Sequence, residues 1–249
     1  MRQLQTRHIL LFRILRDHCS FLTRSQIERV LTLSRIGTTK TLLWMLSEGY
    51  LNRRYRADSF EHFQTPVYYL GKRGWHVVGK PLSEYPAHRL GVEQRSERTF
   101  PHTLALHDVL LKFLLESAVR RIIPSEDELW RETIDFGNIP DAWIQYRGGE
   151  TFIEIDLGTE HVPVLKEKIE RYIAFASSGR YEHLFPGCRF RVLFITTTDE
   201  RIDSLQQITR SDDIWYARME EFVKEELNAR HWCARSGVYA LPVTRKKEV

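Results

Sequence analysis

The sequence predicts a mixed α/β protein in two parts, a basic helical N-terminal third and an acidic body built on an α/β sheet sandwich. Three observations carry this expectation. Residues 1–80 hold fourteen Lys and Arg against five Asp and Glu, a net +9, while the remainder carries −5, so the overall +4 conceals a split. Apolar positions before residue 50 recur at helical spacing and then give way to two β-rich runs around a polar loop. The rest of the chain reads as helix, three strands, helix, strand, helix, the alternation of an α/β sheet.

Composition sets the class. At 249 residues, 42% apolar and 12% aromatic, the chain can bury a full core as one large domain or two. No stretch approaches eighteen uninterrupted apolar residues, so no transmembrane helix and no membrane partner are expected. The apolar run Ile9-Leu10-Leu11-Phe12 ends at Arg13, too short for a signal-peptide core. Cys19, Cys188 and Cys233 are far apart and form neither a paired framework nor a zinc motif, as expected of idle thiols in a reducing cytoplasm. A basic first third implies a polyanion partner without distinguishing DNA from RNA or a membrane surface.

In that first third, Ile9, Leu10, Phe12, Ile14 and Leu15 leave a polar stripe at Arg13, Arg16 and Asp17, an amphipathic helix over 6–18. Thr23 or Ser25 caps a second helix with Ile27, Val30 and Leu31 inward. The segment 34–40 is expected as a turn. A third helix follows with Leu42, Leu43 and Leu46 inward and Gly49 as its C-terminal cap. Leu51-Asn52-Arg53-Arg54-Tyr55-Arg56 and Pro66-Val67-Tyr68-Tyr69-Leu70 read as an antiparallel pair. Residues 81–102 are polar and Pro-punctuated, a linker, which places domains at 1–80 and 103–249.

The body opens on an apolar helix over 104–119 carrying His107, Asp108 and Glu116, then a helical stretch through Trp130 and an edge strand near 133–136. The runs around Ala142-Trp143-Ile144 and Phe152-Ile153-Glu154-Ile155-Asp156 flank Gly148-Gly149, a tight-turn signal, and fold as a hairpin. That fold sets Asp141 beside Glu154 and Asp156, which share one face of their strand. Three carboxylates at one sheet end repel unless a divalent cation or protons relieve them, so the spacing points to a metal site for phosphodiester chemistry or to a structural ion network. Helices over 162–176, 201–208 and 214–227 and a buried strand over 189–196 complete the reading. His107 lies on an apolar face, where a hydrogen-bonded core histidine is the ordinary role.

The string Leu43, Leu46, Glu48-Gly49-Tyr50-Leu51, Val67-Tyr68-Tyr69-Leu70, Arg73-Gly74 resembles the winged helix-turn-helix superfamily. The resemblance implies a third helix in the major groove of double-stranded DNA and a wing on the phosphates. Arg35, Thr38, Thr39 and Lys40 are then the groove candidates, and Arg53, Arg54 and Arg56 the wing contacts. Winged helices also serve as protein-interaction modules.

Pro140-Asp141 followed by Glu154-x-Asp156 resembles the PD-(D/E)xK, restriction-endonuclease-like superfamily, in which Asp and Glu hold Mg²⁺ and a Lys meets the transition-state charge. Asp156 stands where the Lys belongs, so the resemblance implies either a lysine from the following helix, Lys168 or Lys166, or Asp156 as an extra metal ligand. The ordered set His107, Pro140-Asp141-Ala142, Glu154-Ile155-Asp156-Leu157-Gly158-Thr159-Glu160, Lys168-Ile169-Glu170-Arg171-Tyr172 is similar to the plasmid replication-relaxation family. That family joins the two modules and implies a part in mobile-element replication or relaxation; as an adaptor, the chain would recruit a replication, relaxase or coupling protein. Two functions are therefore expected as alternatives: a Mg²⁺-dependent endonuclease using Asp141, Glu154, Asp156 and Lys168, or a non-catalytic DNA-binding adaptor or regulator, either one a plausible homodimer.

Overall fold

The computed structural model describes residues 3–55, 66–79, 92–93, 99–116, 119–124, 137–146, 149–187, 189–229 and 232–241. Arg56, Cys188, the helical stretch and strand expected between 125 and 136, and most of the expected linker lie outside these residues. The chain divides into two compact units, Met1–Leu111 and Lys112–Val249. Among the described residues no helix is long and apolar enough to cross a membrane.

The first unit runs α1 (Thr6–Asp17), β1 (Leu22–Thr23), α2 (Arg24–Leu31), α3 (Arg35–Ser47), β2 (Leu51–Arg54), β3 (Val67–Leu70) and α4 (Lys72–Val77). The three strands form one antiparallel sheet in the order β1-β3-β2. Thr23 caps α2 by accepting from Gln26 N at 3.3 Å, and Ile27, Val30 and Leu31 are buried as expected. The segment 34–40 is a helix start rather than a turn, because Ser34 accepts from Gly37 N at 3.2 Å and caps α3. α3 ends where the sequence placed its stop. Gly49 takes φ +71°, Gly49 N bonds Leu46 O, and Tyr50 N bonds Met45 O, a Schellman ending that only glycine enters without strain.

The helix α5 (Phe100–Glu116) starts four residues earlier than the sequence indicated, with Pro101 tolerated in its first turn where no helical N–H is needed. Its residues up to Leu111 belong to the first unit. There Phe100 packs on Phe21 at 4.8 Å, His107 meets the Phe21 ring edge-on at 5.0 Å, and Asp108 pairs with Arg29 at 2.6 Å.

The second unit is organised by a seven-stranded sheet in the order β10-β9-β8-β7-β6-β5-β4. Its elements are β4 (Val119–Pro124), β5 (Ala142–Tyr146), β6 (Gly149–Asp156), α6 (Val162–Ser177), α7 (Arg180–Leu184), β7 (Val192–Thr196), α8 (Asp199–Ile208), β8 (Ile214–Arg218), α9 (Met219–Lys224), β9 (Trp232–Ala234) and β10 (Gly237–Tyr239). β6, β7 and β8 are parallel and the outer pairs antiparallel. The expected hairpin is β5–β6, with Ala142 opposite Ile153 and Tyr146 opposite Gly149. Residues 214–218, read from the sequence as helix, are the strand β8, and only Met219–Lys224 is helical. Ile214-Trp215-Tyr216 is β-prone and runs without a Gly or Pro break into Met219-Glu220-Glu221, and sheet burial decides the boundary.

Phe152, Phe194, Val192 and Tyr216 on one sheet face pack with Leu165, Ile169, Tyr172 and Phe175 of α6 and with Ile202 and Leu205 of α8. On the opposite face Phe113, Tyr146, Phe222 and Trp232 form a second aromatic chain. β6 is thus covered on both faces and buried from Glu150 to Asp156. Phe152 is fully buried and touches five aromatic rings. Phe152→Ala is expected to destabilise the second unit by about 4 kcal/mol, measured as a lower urea midpoint at unchanged m-value.

Candidate functional site

Glu154 and Asp156 sit two residues apart on β6, beneath α6 and α8, and are 1% and 4% exposed. An ionised carboxylate at that depth must be compensated. Lys168, on α6, places Nζ 2.5 Å from Glu154 Oε2, and the Tyr172 hydroxyl, one turn further along, donates to Oε1. Asp156 receives Arg201 of α8 on both oxygens, Nε at 2.6 Å and Nη2 at 3.2 Å, and Gly158 N donates to it at 3.0 Å. Arg201 Nη2 also donates to Glu160 O at 2.5 Å, which ties the loop leaving β6 to the same guanidinium.

Asp141 extends the ladder. Its N–H donates to Ile153 O at 3.0 Å, and its Oδ2 accepts from Ile155 N at 2.7 Å, so the side chain takes the next strand position past Ala142. The hairpin register sets Asp141 beside Glu154, and Lys168 of α6 meets Glu154 from above. Lys166 is on the solvent side of α6 with Glu170 and takes no part. Glu116 lies with Lys112 at 2.9 Å and accepts from Leu227 N, a structural contact of the second unit.

Burial pushes the Glu154 carboxyl up to about 8; Lys168 pulls it down and Asp141 adds to the rise. For Lys168, burial works to lower the pKa, but the Glu154 carboxylate outweighs it and the net direction is upward. Tyr172 is raised well above the ordinary phenol by burial and then by Glu154.

The magnesium set of Asp141, Glu154 and Asp156 expected from the sequence does not fit this geometry. Arg201 occupies both oxygens of Asp156, and Lys168 and Tyr172 occupy those of Glu154. Among the described residues no group of three or more His, Cys, Asp or Glu is placed to hold a metal ion.

The second candidate surface is α3. Thr38, Thr41, Leu42 and Met45 form its buried face. Thr38 is fully buried and cannot reach a groove, a correction that the spacing 38, 41, 42, 45 explains. Leu43, expected inside, is 58% exposed for the same reason. Arg35, Ile36, Thr39, Lys40, Leu43 and Ser47 line the outer stripe. In β2, Arg53 is exposed with its guanidinium 4.7 Å from the Tyr55 ring. Arg54 is turned the other way, donating to Val92 O at 2.6 Å and lying 4.9 Å from the Phe100 ring. Arg54 is thus half-buried and engaged within the first unit, whereas Arg53 faces solvent.

The sequence alone missed Arg201 and the partnership of Tyr172 with Glu154. Arg201 is 45 residues from Asp156, beyond any local spacing rule. The one usable signal was the demand of a buried acid for a cation.

Taken together, these features define a two-unit protein, a small helical unit with a three-stranded sheet and an α/β body carrying a buried acid–lysine cluster. The replication-relaxation family model matches residues 12–187, well over half of the chain, and the protein belongs to that family. No curated protein matches the chain.

Arg201→Ala leaves the Asp156 carboxylate buried without its cation and is expected to cost about 3–5 kcal/mol in urea unfolding, part of which Asp156→Asn in the same chain restores. Glu154 binds its proton more tightly folded, near pH 8, than unfolded, near 4.5. The stability it contributes is full below pH 4.5, falls between 4.5 and 8 and is level above. Glu154→Gln should flatten that fall, a relative change of up to about 4 kcal/mol, read by comparing unfolding free energies of the two proteins across this range.

Proposed function

We propose that the chain is a duplex-DNA-binding protein of mobile-element replication or relaxation, whose first unit is a winged helix-turn-helix with α3 as its groove helix. The observation that carries this reading is the outer stripe of α3, where Arg35, Thr39 and Lys40 lie on a helix containing no acidic residue, in a segment of net charge +9. Arg53 on β2 adds an exposed cation from the wing. Cations so placed neutralise phosphates while the helix meets base edges.

The body is read as a PD-(D/E)xK-like domain. Two of its buried acids, Glu154 and Asp156, are engaged from within by Lys168 and Arg201, which favours the adaptor role: DNA held by the first unit, with the body presented to a replication, relaxase or coupling protein. A second reading, divalent-ion-dependent cleavage, is favoured by one contact, Lys168 of the following helix against Glu154.

Fluorescence anisotropy with duplex DNA from about 50 to 200 mM salt tests the first reading. Affinity should fall steeply with salt, and Arg35→Ala, Lys40→Ala and Arg53→Ala should each lower the log–log slope by about one, while Arg54→Ala leaves it unchanged. Salt-insensitive or absent binding defeats the proposal. For the body, supercoiled plasmid with Mg²⁺ or Mn²⁺ should stay intact; nicking that is lost in Asp141→Ala and Lys168→Ala would establish the enzyme instead.

A further inference from the structure

We infer that Ile36 and Leu43 make the first unit selective for duplexes that present thymine methyl groups about three base pairs apart in the major groove. The inference rests on the reading of α3 as the groove helix and adds its base preference. Among the described residues these two are the most exposed large apolar side chains, at 69% and 58%. They are seven residues apart, two turns, so they lie on one side of the helix, about 10.5 Å apart along its axis. That distance is close to three base-pair steps of about 3.4 Å.

The chemistry between them points the same way. Thr39 lies one turn from each, and its hydroxyl donates to Arg35 O at 2.9 Å, which withdraws it as a donor to a base edge. The centre of the stripe is therefore apolar, with the cations Arg35 and Lys40 beside it. The thymine methyl is the one apolar group that base pairs display in the major groove. A partner that is anionic at its margins and apolar at intervals matches this stripe in charge and in spacing. A protein surface would need acidic residues to meet Arg35 and Lys40 and an apolar strip between them.

The test uses the full chain. Duplexes enriched from a random library are measured by anisotropy as they are and with each thymine replaced in turn by deoxyuridine, which lacks only the methyl group. Two thymines about three steps apart should each lose about fourfold in affinity on replacement. Ile36→Ala should abolish the loss at one of them and Leu43→Ala at the other. Both side chains are exposed, so the variants should keep the wild-type melting temperature and salt slope. Deoxyuridine replacement without effect, or an effect that survives both variants, overturns the inference and leaves DNA binding intact. Failure to bind any duplex in a salt-dependent manner overturns the groove reading itself. Self-association lost in Ile36→Ala and Leu43→Ala, with no methyl sensitivity, assigns the face to a second copy and also overturns it.

Discussion

Glu154 and Asp156, two of the acids buried on the interior strand β6, set the terms for everything around them. β6 is covered on both faces, where an uncompensated charge costs several kcal/mol. The answer comes from two different helices, Lys168 and Tyr172 from α6 for Glu154, and Arg201 from α8 for Asp156. Each pairing is a constraint on helix position. α6 must lie where a lysine can reach over the end of the sheet, and α8 where a guanidinium can close on the strand terminus and on Glu160 O. The aromatic layer of Phe152, Tyr172, Phe175 and Phe190 then fills the space those pairings define. Hydrophobic burial supplies the bulk of the stability; the ion pairs decide which packing it stabilises.

The same compensation governs what the cluster can do. The family to which the chain belongs links it to replication and relaxation by name. Yet Lys168 and Tyr172 sit on the oxygens of Glu154 and Arg201 on those of Asp156, contacts that a hard cation would have to displace. The acids stabilise the fold first. Function is better read from the surface the charges leave exposed, above all the outer stripe of α3.

Much of this was legible in the residues. The register of β5 and β6, and with it the meeting of Asp141 and Glu154, followed from two β-rich runs flanking a Gly-Gly turn. The stop of α3 followed from Gly49. Where reading failed, competing local signals or distant partners were responsible. Leu42-Leu43 allowed two helical phases, and only the cap at Ser34 fixes the one that buries Thr38 and exposes Leu43. β8 is β-prone in its first residues and continuous with a helix, so its boundary is set by the sheet. β9 and β10 are three residues each, too short for periodicity to register. Arg54 looks like a wing cation in sequence because its partners, Val92 O and Phe100, come some forty residues later.

The helix α5 crosses the boundary between the two units, and this bears on how the protein is divided. Its first turns supply Phe100, His107 and Asp108 to the core around Phe21 and Arg29, while its end supplies Phe113 and Glu116 to the body. A fragment cut in the Pro-rich stretch before residue 100 would take away one wall of the first unit and expose Phe21. A fragment cut after Leu111 would keep Phe113 on Tyr146 and Glu116 on Leu227 N in the body. The first unit thus needs residues that a sequence-based domain boundary assigns to the body, and a fragment carrying it must run on through the first turns of this helix.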